Sequence, residues 1–241
     1  MGHFTLRSFT TALGGLSAGI VLLASSAALA TPAGAARSTP PAAGLPPRNS
    51  MPGTWIAQTA QTSRFSFNVA CTIFDPDAGP EVSGAGTSGV EVIDRRTGLP
   101  HQRMPIEGIG RLACEDFAQV DDWNFDGYPD LVLYSHDGGA GPNTGYDFFL
   151  FNPRLDRFVH DAELSEQTQP TLDKARREVR FAERNGAASY AHFVYRVDHG
   201  TFRLVESTFV RYVTADSDFI ETVKKTWVRG HWVQTRTRKK P

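Results

Sequence analysis

Asp122-Trp123-Asn124-Phe125-Asp126-Gly127-Tyr128-Pro129-Asp130-Leu131-Val132-Leu133-Tyr134 decides between two architectures. Side chains bearing oxygen at alternate positions, then a glycine, then an acid, describe a loop that wraps a hard cation. Asp122, Asn124, Asp126 and Asp130 supply side-chain oxygens, the carbonyl of Tyr128 supplies another, and Gly127 permits the sharp bend. Three carboxylates overbalance a doubly charged ion, as calcium sites commonly do; magnesium demands stricter octahedral geometry and keeps its waters. An EF-hand would place Glu at the twelfth position and a helix on each side. Here the twelfth position is Leu133, and the residues after the loop read as a strand, so the expectation is a strand-flanked calcium loop. The competing reading is a surface turn, because Asp, Asn and Gly dominate turns that bind nothing. Full alternation is much rarer than a lone Asp-Gly, and it favours calcium. Asp121 reads as a solvated acid, and no nucleophile lies beside the loop.

Outward from the loop, short runs of alternating apolar and polar residues recur, broken by Gly, Asn, Asp and Pro. Arg64-Phe65-Ser66-Phe67-Asn68-Val69, Gly89-Val90-Glu91-Val92-Ile93-Asp94, Tyr146-Asp147-Phe148-Phe149-Leu150-Phe151 and His192-Phe193-Val194-Tyr195-Arg196-Val197 all fit strands. Three runs turn back through Asn152-Pro153-Arg154-Leu155-Asp156, Asp198-His199-Gly200 and Arg229-Gly230-His231, each with an aromatic residue just after the turn. That spacing predicts an all-β fold with a degenerate repeat of antiparallel hairpins, as in propeller blades. Residues 171–183 are ambiguous: propensity narrowly favours a helix capped at Thr171 and stopped by Gly186, while Val179 and Phe181 equally fit an alternating strand.

Residues 135–146, Ser-His-Asp-Gly-Gly-Ala-Gly-Pro-Asn-Thr-Gly-Tyr, join two apolar strands and are long for a hairpin connection, which points to a functional loop. No Gly-Lys-Ser/Thr follows, so a phosphate cradle is disfavoured. Ser135, His136 and Asp137 have the residue types of a hydrolase triad, but sequence neighbours on a strand point apart, and a triad is assembled from distant segments. A binding role fits better, with His136 and Tyr146 as candidate partner-binding residues able to plug an acidic sugar cleft. The competing reading is a solvated His136 and a half-buried Tyr146.

Arg7 precedes an apolar, small-residue run ending in Ala28-Leu29-Ala30, the pattern of a secretory signal over residues 1–30. Residues 31–53, with six prolines, read as a disordered tether, leaving residues 54–241 as one β-rich domain. A periplasmic or secreted location makes Cys71 and Cys114 candidates for a disulfide, against the alternative of two buried thiols. The chain carries 25 Lys+Arg against 26 Asp+Glu, a formal net charge of -1, which gives no electrostatic reason to expect nucleic acid. Membrane association is expected only through the cleaved leader, and the basic run from Arg236 to Lys240 reads as a solvated terminus.

As an ordered string, residues 122–131, Gly138-Gly139-Ala140-Gly141, residues 146–153 with Phe158, Leu164-Ser165 and Arg184-Asn185-Gly186-Ala187 resemble the exported calcium-binding immunity proteins of bacteria-killing type IV secretion systems. The resemblance spans roughly residues 90–204. It implies a small calcium-bearing propeller-like β fold in which residues 174–183 are strand-like, with ion ligands on Asp122, Asn124, Asp126, Tyr128 and Asp130. It further implies a protein that is not an enzyme and that blocks a lysozyme-like peptidoglycan hydrolase effector in the periplasm. Pro142 and Gly145 are insertions relative to the family pattern, and the region before Gly89 does not follow it. A calcium-stabilised adhesion or scaffolding module of FG-GAP type is the alternative that the aspartate loop alone would also suit.

Overall fold

Period-two alternation produces strands almost throughout the computed structural model, which describes residues 44–74, 84–110, 113–138, 143–186, 189–212 and 219–240. The leader at 1–30 and the tether as far as residue 43 lie outside the described residues. In chain order the strands are β1 (Thr54–Gln61), β2 (Phe65–Phe74), β3 (Gly84–Asp94), β4 (Leu99–Gly110), β5 (Ala118–Asp121), β6 (Asp130–Gly138), β7 (Asn143–Asn152) and β8 (Arg157–Asp161). They continue as β9 (Thr171–Asp173), β10 (Glu178–Arg184), β11 (Tyr190–Asp198), β12 (Thr201–Tyr212), β13 (Ile220–Val228) and β14 (His231–Lys239). One short helix, α1 (Ala162–Ser165), is capped by the Asp161 side chain, which accepts from the Leu164 N–H.

These strands form two sheets. The first runs β1-β2-β3-β4-β6-β7-β8 with β5 paired to β6, and the second runs β14-β13-β12-β11-β10-β9. Pairing is antiparallel apart from the parallel contact of β4 with β6 at Ile109 and His136. The expected all-β class and hairpin-rich connectivity are present. Among the described residues the strands close into neither a barrel nor a propeller, and the hairpins lie as successive neighbours within the sheets.

Residues 171–183 divide into β9, a turn and β10, so neither a helix nor a single strand forms. Tertiary packing decides the matter: Val179 and Phe181 are buried on one face of β10, an alternation a helix could not satisfy.

Strands β6 and β7 wall two cores at once. Leu131, Leu133, Phe149 and Phe151 face a cluster containing Phe65, Phe67, Phe117 and Phe158. Val132 and Phe148 face the opposite way, onto Trp123, Leu164, Val179, Phe181 and Val197. Both faces of the β6–β7 hairpin are therefore covered, which explains why these strands read as nearly continuous apolar runs.

The stretch 44–53 departs from the disordered tether expected there. Met51 is buried, and a side chain at Gly89 would collide with it, so the two close on each other. Glu91, on the outer face of β3, is fully buried and receives the Arg48 guanidinium and Arg103 Nε at 2.7 Å. Arg103 Nη1 also donates to the Pro46 carbonyl at 3.1 Å. A buried carboxylate must be paired, and Arg48 and Arg103 are its pairing. Although burial pushes the Glu91 carboxyl up, the two guanidinium groups prevail and hold it below the usual range. Residues 44–53 thus belong to the folded domain.

Cys71 and Cys114 form the expected disulfide, with Cα atoms 6.0 Å apart and a sequence separation of 43. It ties the end of β2 to the segment that leads into β5, where Gln58 also donates to the Cys114 carbonyl and accepts from the Ala118 N–H. Replacing both cysteines by alanine should lower unfolding free energy by about 4 kcal/mol, from the entropy restored to the unfolded chain. Urea unfolding of the double variant against the oxidised protein checks this.

Candidate functional site

The aspartate loop is wound by its own backbone. Asp122 accepts from the N–H groups of Asp126 and Gly127, each at 3.0 Å, and Asn124 Oδ1 accepts from the Asp126 N–H at 3.0 Å. Asp126 Oδ1 accepts from the Tyr128 N–H at 2.9 Å, and Asn124 Nδ2 donates to Asp126 Oδ2 at 3.1 Å. Two residues, Phe125 at φ 54 and Gly127 at φ 92, take the left-handed conformation that the bend requires. Asp122, Asn124 and Asp126 consequently gather as two carboxylates and an amide, an all-oxygen set of the kind hard cations accept.

Asp130 plays a different part from the other three. It is fully buried beneath the loop, its Oδ2 accepting from the N–H groups of Trp123 at 2.9 Å and Asn124 at 3.3 Å, and its Oδ1 from the Phe151 N–H at 2.9 Å. Burial pushes its carboxyl up to about 7; the three N–H donors from Phe151, Trp123 and Asn124 pull down without prevailing, and nearby Asp126 pushes further up. Among the described residues no three His, Cys, Asp or Glu side chains gather into a metal-holding group. The gathered donors are Asp122, Asn124 and Asp126, while Asp130 fastens the loop to β7 and the Tyr128 side chain lies exposed against Phe151 at 5.8 Å between ring centroids.

The second sheet grips the same loop from outside. Arg177, in the β9–β10 turn, donates to the Phe125 carbonyl at 2.9 Å and lies over the Phe125 ring. Lys174 reaches Asp121 at 2.8 Å, so the acid read as solvated has an ion-pair partner.

At the far end of β6 the presumed long loop is mostly strand. β6 continues to Gly138 and β7 begins at Asn143, with Gly138 opposite Asn143, so only residues 139–142, outside the described residues, connect them. His136 is exposed, and its ring lies over Gly145, in the space that a side chain there would take. Tyr146 is half-buried, packs against both cores and meets Tyr134 edge-on at 5.9 Å. Of the two candidate contact residues, His136 is exposed and Tyr146 is packed against the cores. Ser135 Oγ is 3.4 Å from His136 Nδ1, a contact between sequence neighbours. Six positions of β6 separate His136 from Asp130, roughly 20 Å at strand rise, so the two candidate sites occupy opposite ends of one strand.

A cleft not foreseen from sequence opens beside His136. β4 pairs with β6 at Ile109 and His136, and at its other end the Gln102 side chain bonds both the N–H and the carbonyl of Phe158 in β8, at 2.9 and 2.8 Å. Between these two fastenings the strands diverge around a cleft of about 1010 Å³, lined by Met104, Ile106, Phe149 and Val159 with Asp147 and His160. His160 Nε2 is 3.8 Å from Asp147 Oδ1. Burial raises the Asp147 carboxyl, against the pull of His160 and His136. Only the apolar alternation of 146–151 was visible in sequence; that Asp147 and His160 share a cleft depends on the β7–β8 register, which sets His160 opposite Phe149, two residues along from Asp147 on the same face.

No family model matches the chain, and no curated protein sequence matches it. The fold is similar to a solved structure described as a Xanthomonas type IV secretion system related protein, with a TM-score of 0.55 at 15% sequence identity. The likeness covers 75% of this chain and 92% of that one, and at this identity it is a likeness of fold.

A carboxyl raised by folding favours the folded state while protonated. Its contribution is complete below the unfolded value of about 4 and is lost as pH rises through about 7. In buffer free of divalent cations, stability should therefore decline across that window in the wild type and much less in Asp130→Asn. Thermal melts of both proteins at half-unit pH steps compare the slopes.

Proposed function

We propose that the chain is an exported immunity protein that binds and inhibits a lysozyme-like peptidoglycan hydrolase effector delivered by a type IV secretion system. The observation that carries this reading is the likeness of fold to the Xanthomonas type IV secretion system related protein over nearly all of that chain. It coincides with the motif order of the immunity-protein resemblance, from the aspartate loop to residue 187. The Cys71–Cys114 disulfide fits an oxidising, extracytoplasmic setting.

The contact surface in this reading is the end of the β6–β7 hairpin and the cleft beside it. His136, exposed next to the cleft-lining Ser135, can donate to a carboxylate in the hydrolase's sugar cleft, and Tyr146 anchors the facing strand in the cores. Blocking an active site requires shape and one well-placed polar group, and no catalytic machinery in the inhibitor. Asp122, Asn124, Asp126 and the Tyr128 carbonyl are the donors for a structural calcium ion, which would offset the charge that burial leaves uncompensated on Asp130. The ion's task is to stiffen the loop between the two sheets.

Two measurements test the proposal. Mixed with a lysozyme-like peptidoglycan hydrolase effector of such a secretion system, the protein should suppress turbidity loss of peptidoglycan suspensions stoichiometrically, and His136→Ala should weaken inhibition about tenfold or more. Full hydrolase activity at molar excess of the wild type would sink the inhibitory reading in favour of the adhesion module. Separately, calcium at a hundred times its dissociation constant should contribute about 2.7 kcal/mol. For a domain of this size that is a rise in melting temperature of about 5–10 °C, reversed by EDTA and absent in Asp122→Ala.

A further inference from the structure

The last hairpin is chemically unlike the rest of the molecule. From Ile220 to Lys240 it carries Lys224, Lys225, Arg229, Arg236, Arg238, Lys239 and Lys240 against the single acid Glu221, in a chain whose formal total is -1. Glu221 is buried and ringed by Arg211, Arg236 and Arg238 at 3.4, 3.6 and 3.2 Å, and Lys224 reaches Glu206 at 2.8 Å. Lys225, Arg229, Lys239 and Lys240 pair with no carboxylate among the described residues.

Its tip is apolar. Around the Arg229-Gly230 turn, Trp227, Val228, Trp232 and Val233 are exposed by 37, 40, 42 and 40%, and Trp227 faces Trp232 across the hairpin with ring centroids 5.4 Å apart. β14 is exposed along its whole length and has β13 as its one neighbour. Charges on an edge strand discourage pairing with other edges, which gives the lysines and arginines a role but leaves two tryptophans and two valines in water without one.

An apolar, tryptophan-bearing tip on a cationic shaft matches the boundary of an anionic bilayer. Indole rings settle at the level of the lipid headgroups, and lysine and arginine near the surface are each drawn to anionic lipid. A soluble anionic polymer would use the charges and leave Val228 and Val233 idle. A second copy of the chain would bring like charges together along β14.

We infer that the β13–β14 hairpin seats the protein on anionic lipid, with Trp227 and Trp232 at the headgroup boundary and the surrounding Lys and Arg on lipid phosphates. This seat is separate from the inhibitory surface, and the protein can have either property without the other.

The test is co-sedimentation of the full chain with vesicles of phosphatidylglycerol and phosphatidylcholine at 3:7, against pure phosphatidylcholine, with long-chain polyphosphate as a soluble competitor. Binding to the anionic vesicles alone is expected, with tryptophan fluorescence quenched when the lipids are brominated near the headgroup. Arg229→Gln with Lys225→Gln, the unpaired charges nearest the tryptophans, should weaken binding about fivefold per charge removed. Trp227→Ala with Trp232→Ala should abolish the quenching while the circular dichroism spectrum is kept. No binding by the wild type overturns the inference, and so does binding without quenching that polyphosphate displaces, which would make the hairpin a site for phosphate polymers.

Discussion

A carboxylate with no water around it must find donors, and Asp130 finds three backbone N–H groups on two separate elements. Trp123 and Asn124 lie in the loop before β6, and Phe151 lies on β7, so one side chain joins the loop, the strand that follows and its hairpin partner. β6 and β7 in turn form the wall between both cores. Register along them therefore fixes which residues each core receives. A slip of one residue would exchange Leu131 and Leu133 for Val132 and turn Phe148 to the wrong side. The loop reaches the second sheet as well, through Arg177 on the Phe125 carbonyl and Lys174 on Asp121. The fold thus pins the loop at both ends.

The alternating runs made the strands from Phe65, Gly89, Tyr146 and His192 legible, because a half-buried strand writes its burial into period two. β4 was not legible: Pro100 and Pro105 interrupt it and its outer face carries polar residues, yet pairing with β3 holds it for its full length. The stretch 44–53 misled for a related reason. Its prolines describe an extended backbone, which is equally what a segment lying along a sheet needs, and the decisive Glu91 sits some forty residues away in sequence. Only a structure can show that a glutamate in an otherwise ordinary strand is completely enclosed. In the aspartate loop, residue types gave the donors but could not separate the three that gather from the one that anchors. That difference depends on Asp130 being the first residue of β6 and so lying under the sheet's edge.

The connection after β6 shows how glycine can disguise a strand. Residues 135–146 contain Gly138 and Gly145, which read as punctuation, but in the structure both are paired strand positions. Gly145 is there because the His136 ring occupies the space of its side chain. The glycine thus leaves room for an exposed imidazole over the facing strand. Of the two candidates named from sequence, Tyr146 is half-buried against both cores and His136 is the exposed one.

Charge distribution carries the last step. A total near zero reads as electrostatic indifference, and it would be so if positive and negative groups alternated over the surface. Here acid concentrates around the aspartate loop while the terminal hairpin holds seven basic residues and one buried acid. Glu221 does not neutralise that hairpin; enclosed by Arg211, Arg236 and Arg238, it serves to hold three guanidinium groups side by side on adjoining strands. Like charges so close would splay a hairpin that has a sheet on one side only, and a single buried carboxylate offsets that repulsion without cancelling the field outside. The run that reads as a solvated basic terminus is consequently a structured, strongly cationic edge, which the net charge of the chain conceals.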